Sequence, residues 1–349
     1  MQTLRRVVQF ERRAHRALEM LLLLGALVVN GAGSAAAQSY RVTRLGPAEA
    51  ARGSATAINN AGQVIGQIQD SKGALRSFLD SDGAVRDLGT LGGRMSQAYR
   101  INDAGEIVGY SQTATGEYRA FRYANGVMTG MGVWGGSFSA AMGINGLGHV
   151  VAYVDDVPGQ HITRAVLHDG QTALDLRTLE GRVDVVDIND AGQVIGHHYP
   201  DHHGGYRRAF LYNRGAVQFL DTFGGEAITV ADLNEQGDVI GHVATASGAL
   251  RAFVFRAGAI AHLGSFAGGT QSLAFALNDR GQIVGAADTG RGGLQAVLYS
   301  RGAIHNLNDL IPKGSGWVLS AARGINDRGQ IVGEGLLNGK QEAFLLTPD

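Results

Sequence analysis

The sequence predicts an all-β fold, a seven-bladed β-propeller built from four-stranded blades of about 44 residues. The first observation behind this prediction is a phrase of the type INDAGQVIG, which recurs seven times. The second is the spacing of its Asn, which advances by 43, 43, 44, 45, 44 and 48 residues. The third is composition, because the 349 residues include 53 Gly and only five Pro, and the repeat region shows no helical period of useful length.

Each repeat has the pattern of four short strands. The first strand ends at Ile-Asn, and the residues after it form a tight hairpin loop that requires Gly at positive φ in third place. The second strand is a β-branched pair followed by Gly or Ala, and the third and fourth are typified by RAFLY and AVQFL. The hairpin Gly is present in every copy, as Gly62, Gly105, Gly148, Gly192, Gly237, Gly281 and Gly329. The repeated phrase is therefore interpreted as a structural hairpin.

The two ends of the repeat region predict how the ring closes. The last repeat stops after its third strand, at Asp349, whereas Ser39–Gly46 (SYRVTRLG) aligns with the fourth strands of the other repeats. The N-terminal strand is therefore expected to complete the C-terminal blade. Such closure removes open sheet edges, which otherwise promote aggregation.

Residues 1–37 have the pattern of a secretory signal peptide. Five Arg precede the apolar run Leu21–Val29, and Ala35–Ala37 supplies small residues before Gln38. The apolar run is shorter than the roughly 18 residues that a membrane span requires. The predicted organisation is a signal peptide at 1–37 and a propeller domain at 38–349, in a secreted, periplasmic or cell-surface bacterial protein.

Charge and cysteine content narrow the classes of partner. The whole chain has a formal net charge of −1, and removal of residues 1–37, which hold five Arg and two Glu, changes it to −4. This mildly acidic balance gives no electrostatic reason to bind nucleic acid or anionic lipid. The absence of Cys excludes disulfides, thiolate metal sites and a Cys nucleophile. We expect a monomer without a cofactor or stable membrane insertion, whose partner is a protein or a glycan.

The combination DLGTLGG … A-x-x-IND-x-G-x-[IV]-VG … R-A-F resembles the repeats of the bacterial extracellular HAF-repeat proteins. The resemblance covers essentially all of residues 39–349. One departure is that Arg, Gln or Glu stands where the family has the His of its His-Ala-Phe triplet. The resemblance implies secretion and a repeated β fold, and it brings no established activity or catalytic residues.

A ligand site is expected among the variable loops, because repeated positions carry the scaffold. Two adjacent repeats have distinctive loops, GHHYPDHHGGYRR and AYVDDVPGQH, and Trp134 lies in a linker between blades. Imidazoles and carboxylates on one rim could bind Zn²⁺ or Ni²⁺ or act in acid–base chemistry; the alternative is a polar loop that happens to be rich in His. The candidate ligand-binding residues are His197, His198, Asp201, His202, His203, Asp155, Asp156, His161 and Trp134.

Two other repeated features are interpreted as structural. The carboxylates of the IND phrases are expected to cap turns, since each turn offers too few ligands for calcium. The third-strand Arg are expected to form local ion pairs or to lie at solvated edges rather than to form an anion-binding ring, because these strands lie far from the propeller axis. They are Arg76, Arg119, Arg164, Arg208 and Arg251. No nucleophile elbow, P-loop or dinucleotide fingerprint is present, and no catalytic residue is identified.

Three hypotheses of function follow. The leading one is a secreted scaffold that binds a protein or glycan through its variable loop face. The alternative is an extracellular hydrolase or lyase that acts on a polymer, with the His/Asp-rich rim at 155–203 as its reactive or metal site. The third is a structural surface protein without a small ligand. Because propellers host all three, the fold alone does not separate them.

Overall fold

The computed structural model describes residues 39–46, 53–69, 73–157, 162–176, 181–200, 207–220, 227–290 and 293–349, all of them within one compact unit, Ser39–Asp349. It confirms the predicted fold class: seven four-stranded antiparallel sheets, one for each repeat. The helical structure in these ranges is the single 3-10 turn Leu307–Asp309, and no helix among them is long and apolar enough to cross a membrane. The predicted signal peptide lies outside the described residues.

The strands follow one another around the ring, four to a blade. Blade 7 takes its outermost strand from the N-terminus. The strands are β1 (Tyr40–Leu45); in blade 1, β2 (Gly53–Ile58), β3 (Val64–Gln69), β4 (Leu75–Ser81) and β5 (Ala84–Asp87); in blade 2, β6 (Gly92–Ile101), β7 (Ile107–Thr113), β8 (Tyr118–Ala124) and β9 (Val127–Gly132); in blade 3, β10 (Ser139–Ile144), β11 (Val150–Val157), β12 (Ile162–His168) and β13 (Ala173–Asp175); in blade 4, β14 (Arg182–Ile188), β15 (Val194–Tyr199), β16 (Arg208–Asn213) and β17 (Ala216–Phe219); in blade 5, β18 (Ala227–Leu233), β19 (Val239–Ala244), β20 (Leu250–Arg256) and β21 (Ala259–His262); in blade 6, β22 (Ser272–Leu277), β23 (Ile283–Asp288), β24 (Leu294–Ser300) and β25 (Ala303–Asn306); and in blade 7, β26 (Trp317–Ile325), β27 (Ile331–Leu337) and β28 (Lys340–Pro348).

The predicted ring closure is confirmed. Strand β1 pairs antiparallel with β28, from Tyr40 opposite Pro348 to Leu45 opposite Ala343. The Tyr40 N–H also donates to the Leu310 carbonyl at 2.9 Å, which ties β1 to the linker between blades 6 and 7. The N-terminal strand thus holds the last blade in the ring by backbone pairing.

The Asn of each repeat links its own hairpin to the next blade. Asn189 illustrates the pattern: its Oδ1 accepts the Gln193 N–H at 3.0 Å, and its Nδ2 donates to the Asn234 carbonyl at 3.0 Å. All seven Asn make the second bond, at 2.9 to 3.4 Å, so a closed ring of seven side-chain amides surrounds the axis. We call this the asparagine ring; its members are Asn59, Asn102, Asn145, Asn189, Asn234, Asn278 and Asn326.

The carboxylates of the IND phrases cap turns, but not their own. The Asn60 N–H donates to Asp103 Oδ1 at 2.8 Å, and the Asp279 N–H donates to Asp327 Oδ1 at 2.9 Å, so each carboxylate accepts from the preceding blade. Sequence reasoning predicted turn capping without identifying which turn each carboxylate caps. The structure shows that the inner-strand hairpins converge at the axis and bring neighbouring tips within hydrogen-bonding distance.

A bulge interrupts every inner strand at the same repeat position. In blade 2 the register shifts between Ala98 and Arg100, and each other blade shifts at the equivalent place. The second-strand Gly accommodates this distortion, because a Cβ at Gly109 would overlap the Gln97 carbonyl oxygen. Bulges redirect side chains, and residues at or directly after the bulge in several blades, such as Thr56, Arg100 and Phe275, line the space around the axis.

The hydrophobic core lies between the blades. Phe121 is fully buried and packs with Ile65 of blade 1 and Ile107 of its own blade. Phe253 and Phe344 are buried in the equivalent place, each in a cluster that joins two blades. Burial of such a side chain contributes about 1.5–3 kcal/mol, so the interfaces between blades supply much of the stability.

Candidate functional site

Four of the predicted ligand-binding residues, His161, Asp201, His202 and His203, lie outside the described residues. The backbone of Asp156 lies in β11, and its side chain is not described. For these five residues the predicted His/Asp-rich rim stays a prediction. Within the described ranges, no point is surrounded by three or more His, Asp or Glu side chains that could hold a metal ion.

His197 and His198 are neighbours on β15, and their side chains therefore lie on opposite faces of blade 4. His197 is buried, and its Nε2 accepts the Val230 N–H of blade 5 at 3.1 Å. The His198 ring packs 5.7 Å from the Phe219 ring within its own blade. The structure thus separates the two imidazoles, and His197 acts as a bridge between blades.

The environment of His197 keeps its imidazole neutral. Burial and, secondarily, the charge of Arg207 lower the pKa of His197 from 6.5 to about 4. The neutral ring is the form that accepts the Val230 N–H, with the remaining proton on Nδ1. Protonation of Nε2 would abolish this acceptor and leave a buried backbone N–H without its bond.

This arrangement predicts that acid destabilises the fold. Because the folded-state pKa lies below the unfolded value, the unfolded chain binds more protons between about pH 6.5 and pH 4, and stability falls as pH falls through that window. The full loss attributable to His197 is about 3 kcal/mol. Urea unfolding across this range measures it. A His197→Gln variant, which does not titrate, should show a flatter profile, and an unchanged profile would contradict the assignment.

Asp155 and Trp134 both shape the linker between blades 2 and 3. Asp155 Oδ1 accepts the N–H groups of Ser137 and Phe138, each at 2.6 Å. The Trp134 ring lies 5.8 Å from the His168 ring, and the Trp134 carbonyl accepts a hydrogen bond from Arg164. These contacts give both predicted site residues a structural role in the linker.

The arginines of the third strands form local contacts, as the sequence indicated. Arg76 pairs with Asp87 at 2.9 Å, and Arg164 pairs with Asp175 at 2.9 Å, each on the adjacent outer strand of the same blade. Arg208 instead lies 3.5 Å above the Phe219 ring. They do not converge on a common point.

A group of aromatic side chains occupies the loop end of blades 2 and 3. We call it the tyrosine cluster: Tyr99, Tyr110, Tyr118, Phe138 and Tyr153. Ring centroids of contacting pairs lie 5.6 to 6.4 Å apart, and Phe138 stacks on Tyr153 at 5.7 Å. All five are half-buried, so part of each ring faces solvent. Tyr118 opens β8 and Phe138 precedes β10, so the cluster reaches the loop face at these two residues, and it extends inward to Tyr99 on β6.

Polar groups flank the tyrosine cluster on the side of blade 4. Arg182 donates to both oxygens of Asp184, at 3.1 and 2.7 Å, and lies 4.8 Å from the centre of the Tyr199 ring. Asp184 also accepts the Thr163 hydroxyl at 2.7 Å. Burial and the nearby Asp184 carboxylate raise the pKa of Tyr153, so its hydroxyl stays protonated at neutral pH. The loop end therefore combines aromatic faces with an ordered carboxylate and guanidinium.

The opposite end of the axis holds a cavity of about 380 Å³, bounded by the ends of the inner strands and by the hairpin tips. We call it the axial cavity. A volume of this size falls within the range of small-molecule sites. Four blades present only Ala or Gly at the position two residues before the ring Asn, namely Ala57, Gly143, Ala276 and Gly324, whereas the other three present Arg100, Asp187 and Asp232.

The side chains of these three charged residues contact one another on one wall of the axial cavity, although they come from three different blades. Arg100 of blade 2 reaches past Gly143 of blade 3, with Nε 2.8 Å from Asp187 Oδ2 and an amino group 3.4 Å from Asp232 Oδ1. A Cβ on Gly143 would come within 2.6 Å of Asp187 Oδ1, so this Gly leaves room for the carboxylate. Burial and the neighbouring Asp187 hold the pKa of Asp232 well above its usual range, despite Arg100.

The other wall is formed by blades 6 and 7. The Arg323 guanidinium lies 4.3 Å from the centre of the Phe275 ring and donates to Glu334 Oε1 at 2.7 Å. At the mouth, the hairpin tips present five carboxylates, and blades 1 and 3 have Asn60 and Gly146 instead. We call these carboxylates the acidic rim: Asp103, Asp190, Glu235, Asp279 and Asp327.

Sequence reasoning did not identify the axial cavity. It placed ligand sites at the loop face and treated the hairpin end as scaffold. A usable signal was present, because Arg or Asp replaces Ala or Gly at one position inside an otherwise repetitive phrase. The meeting of Arg100 and Asp187, 87 residues apart in the chain, depends on the ring geometry.

No protein-family model matches this chain, and no curated protein resembles it significantly in sequence. Its fold is similar to the β-propeller domain of the Trilobed protease from Pyrococcus furiosus, at 9% identity and a TM-score of 0.55, over 73% of this chain and 84% of that one. That propeller has an open Velcro topology, whereas here β1 completes the last blade.

Two longer proteins contain a similar fold. The acylaminoacyl peptidase of Pyrococcus horikoshii matches at 10% identity and a TM-score of 0.55, over 85% of this chain and 51% of the peptidase. The extracellular domain of a putative hybrid two-component system from B. thetaiotaomicron matches at 13% identity and a TM-score of 0.50, over 88% of this chain and 39% of that one. This chain spans about half of the peptidase and 39% of the other protein, and at such identities the likeness shows the fold alone.

Proposed function

We propose that this chain is an exported member of the HAF-repeat family and serves as a binding scaffold, with a glycan held at its loop face beside the tyrosine cluster. The repeats of residues 39–349 support the family, and the signal-peptide pattern at 1–37 supports export. The observation that supports a glycan as the ligand is the tyrosine cluster, a group of five half-buried aromatic rings in adjacent blades.

The chemistry of this surface matches a carbohydrate. Aromatic faces provide apolar area with little loss of conformational entropy, and they stack on the C–H faces of sugar rings. Glycan hydroxyls also require fixed donors and acceptors, which Asp184, Arg182 and Gln97 supply beside the rings. Tyr110 donates its hydroxyl to Gln97 at 2.8 Å and thereby orients that amide.

Binding to a panel of purified bacterial, plant and host oligosaccharides tests the proposal, followed by calorimetry with the best ligand. Tyr118→Ala and Phe138→Ala should each weaken binding about tenfold, because each removes a stacking ring. Tyr118→Phe keeps the ring and should bind nearly as the wild type does. Melting temperature shows whether each variant is folded.

Phe275→Ala is the matched control, since it removes a half-buried aromatic ring in blade 6, across the propeller from blades 2 and 3. It should leave glycan binding unchanged. Failure of every glycan to bind, or undiminished binding by both loop-end alanine variants, would refute the proposal. Binding that is lost only in Phe275→Ala would move the site to the axial cavity.

A further inference from the structure

We propose that the axial cavity at the hairpin end is a second binding site, which takes a small organic cation carrying two or more ammonium groups. This site opens at the hairpin tips, whereas the proposed glycan surface opens at the loop face beside Tyr118 and Phe138. The cavity itself defines it: about 380 Å³, open at the hairpin tips, with walls contributed by all seven blades.

The wall of the cavity suits an aliphatic chain with polar ends. Ala57, Ala276 and Gly324 keep one part of the wall small and apolar. Phe275 adds an aromatic ring whose one side is covered by Arg323, and the charge of Arg323 is compensated by Glu334. On the other side, Arg100 compensates Asp187, and Asp232 has a pKa raised by burial, so this wall carries little net charge. These walls therefore select a ligand by its shape more than by its charge.

Net charge accumulates at the mouth. The acidic rim places five carboxylates on successive hairpin tips, interrupted at Asn60 and Gly146. Burial and, secondarily, the neighbouring carboxylates raise the pKa of both Glu235 and Asp279, in keeping with like charges on adjacent tips. A cation at the mouth would relieve this repulsion.

The turn structure does not require these charges. Asn60 accepts the Asp327 N–H at 2.8 Å through its amide oxygen, so a neutral side chain performs the same capping as a carboxylate. In blade 3, Gly146 has no side chain that could accept from the Asp103 N–H of blade 2, and the hairpin of blade 2 forms nevertheless. Carboxylates at five of the seven tips therefore repel one another, and amides would avoid this electrostatic cost. Binding of a cationic ligand explains the presence of carboxylates at these positions.

The ligand is wider than a metal ion. Among the described residues, which include the whole rim, no three acidic or His side chains approach one point closely enough to bind a metal. The rim carboxylates instead follow the circumference of the mouth. Several ammonium groups separated by methylene chains can contact different tips while the chain occupies the cavity, and spermidine is a suitable probe.

Calorimetric titration of the purified protein with spermidine tests the proposal. We expect one saturable site, with affinity that falls as ionic strength rises. Glu235→Gln combined with Asp279→Asn retains the capping oxygens but removes two charges, and it should weaken binding about tenfold or more. Thr56→Phe should fill the cavity and also weaken binding; Phe275 occupies the same repeat position in blade 6, so an aromatic side chain is compatible with the fold there.

Glu117→Gln combined with Asp309→Asn is the matched control, because it removes two exposed charges from the loop end. It should bind spermidine as the wild type does. Absence of saturable binding, or an equal loss in this control, would overturn the proposal. So would equally tight binding of Mg²⁺, which would indicate simple charge neutralisation, or undiminished binding by Thr56→Phe, which would exclude the cavity.

Discussion

Tyr40→Ala is expected to lower the free energy of unfolding by about 3–5 kcal/mol, the range for loss of a large buried aromatic side chain. Tyr40 is fully buried, and it belongs to the core cluster that includes Leu307, Leu319 and Phe344. It is also the first residue of β1, the strand that completes blade 7. The substitution therefore weakens both a core contact and the closure of the ring.

Chemical denaturation of the wild type and variant measures this loss. The matched control is Tyr40→Phe, because the Tyr40 hydroxyl is buried and has no hydrogen-bond partner among the described residues. Removal of an unsatisfied polar group should leave stability unchanged or raise it. A Tyr40→Ala protein as stable as Tyr40→Phe would show that β1 contributes little to the ring.

Asn189→Asp is expected to destabilise the protein by several kcal/mol, more than Asn189→Ala at about 1–3 kcal/mol. Either variant leaves the buried Asn234 carbonyl without its donor. The aspartate additionally places a carboxylate against two acceptors, the Asn234 carbonyl and Gln193 Oε1. The aspartate keeps the oxygen that accepts the Gln193 N–H, whereas alanine does not. Comparison of the two variants therefore separates the bond between blades from the cap within the turn.

The control for this prediction is Asp190→Asn, the reverse change at the next residue. Asp190 is exposed, and an amide oxygen can still accept the Gly146 N–H that Asp190 Oδ1 accepts at 2.6 Å. Its stability should lie within about 0.5 kcal/mol of the wild type, as for most surface substitutions. If Asn189→Asp proves equally mild, the asparagine ring does not hold the blades together.

The two ends of the axis differ in how far they are built from repeated residues. At the hairpin end, repeated residues form the asparagine ring, and one wall of the axial cavity is formed where three blades carry Arg or Asp in place of Ala or Gly. At the loop end, the tyrosine cluster consists of residues that differ between blades, in line with the expectation that variable positions carry function. Both candidate sites thus lie where the repeat is broken.

The fold was predictable because its determinants are local and repeated. The hairpin Gly, the β-branched second strand and the 44-residue period each act within one blade, and seven copies make the pattern unmistakable. The role of Ser39–Gly46 was also predictable, since a strand missing at one end of the repeat region was present at the other. The Asn in each phrase was visible, yet its bond to the next blade was not, because six of these bonds join residues 43 to 48 positions apart and the seventh joins residues 267 positions apart.

The sequence by itself determined the propeller, the number of blades and the way the ring closes, because strand patterning and turn chemistry depend on neighbouring residues. Only the tertiary structure decided which side chains share a site. It placed His197 and His198 on opposite faces of a blade, brought Arg100 beside Asp187 and Asp232, and gathered tyrosines from two blades. These side-chain contacts depend on ring closure and on the inner-strand bulges. The distances between the side chains depend on the rotation from one blade to the next, which no local sequence pattern encodes.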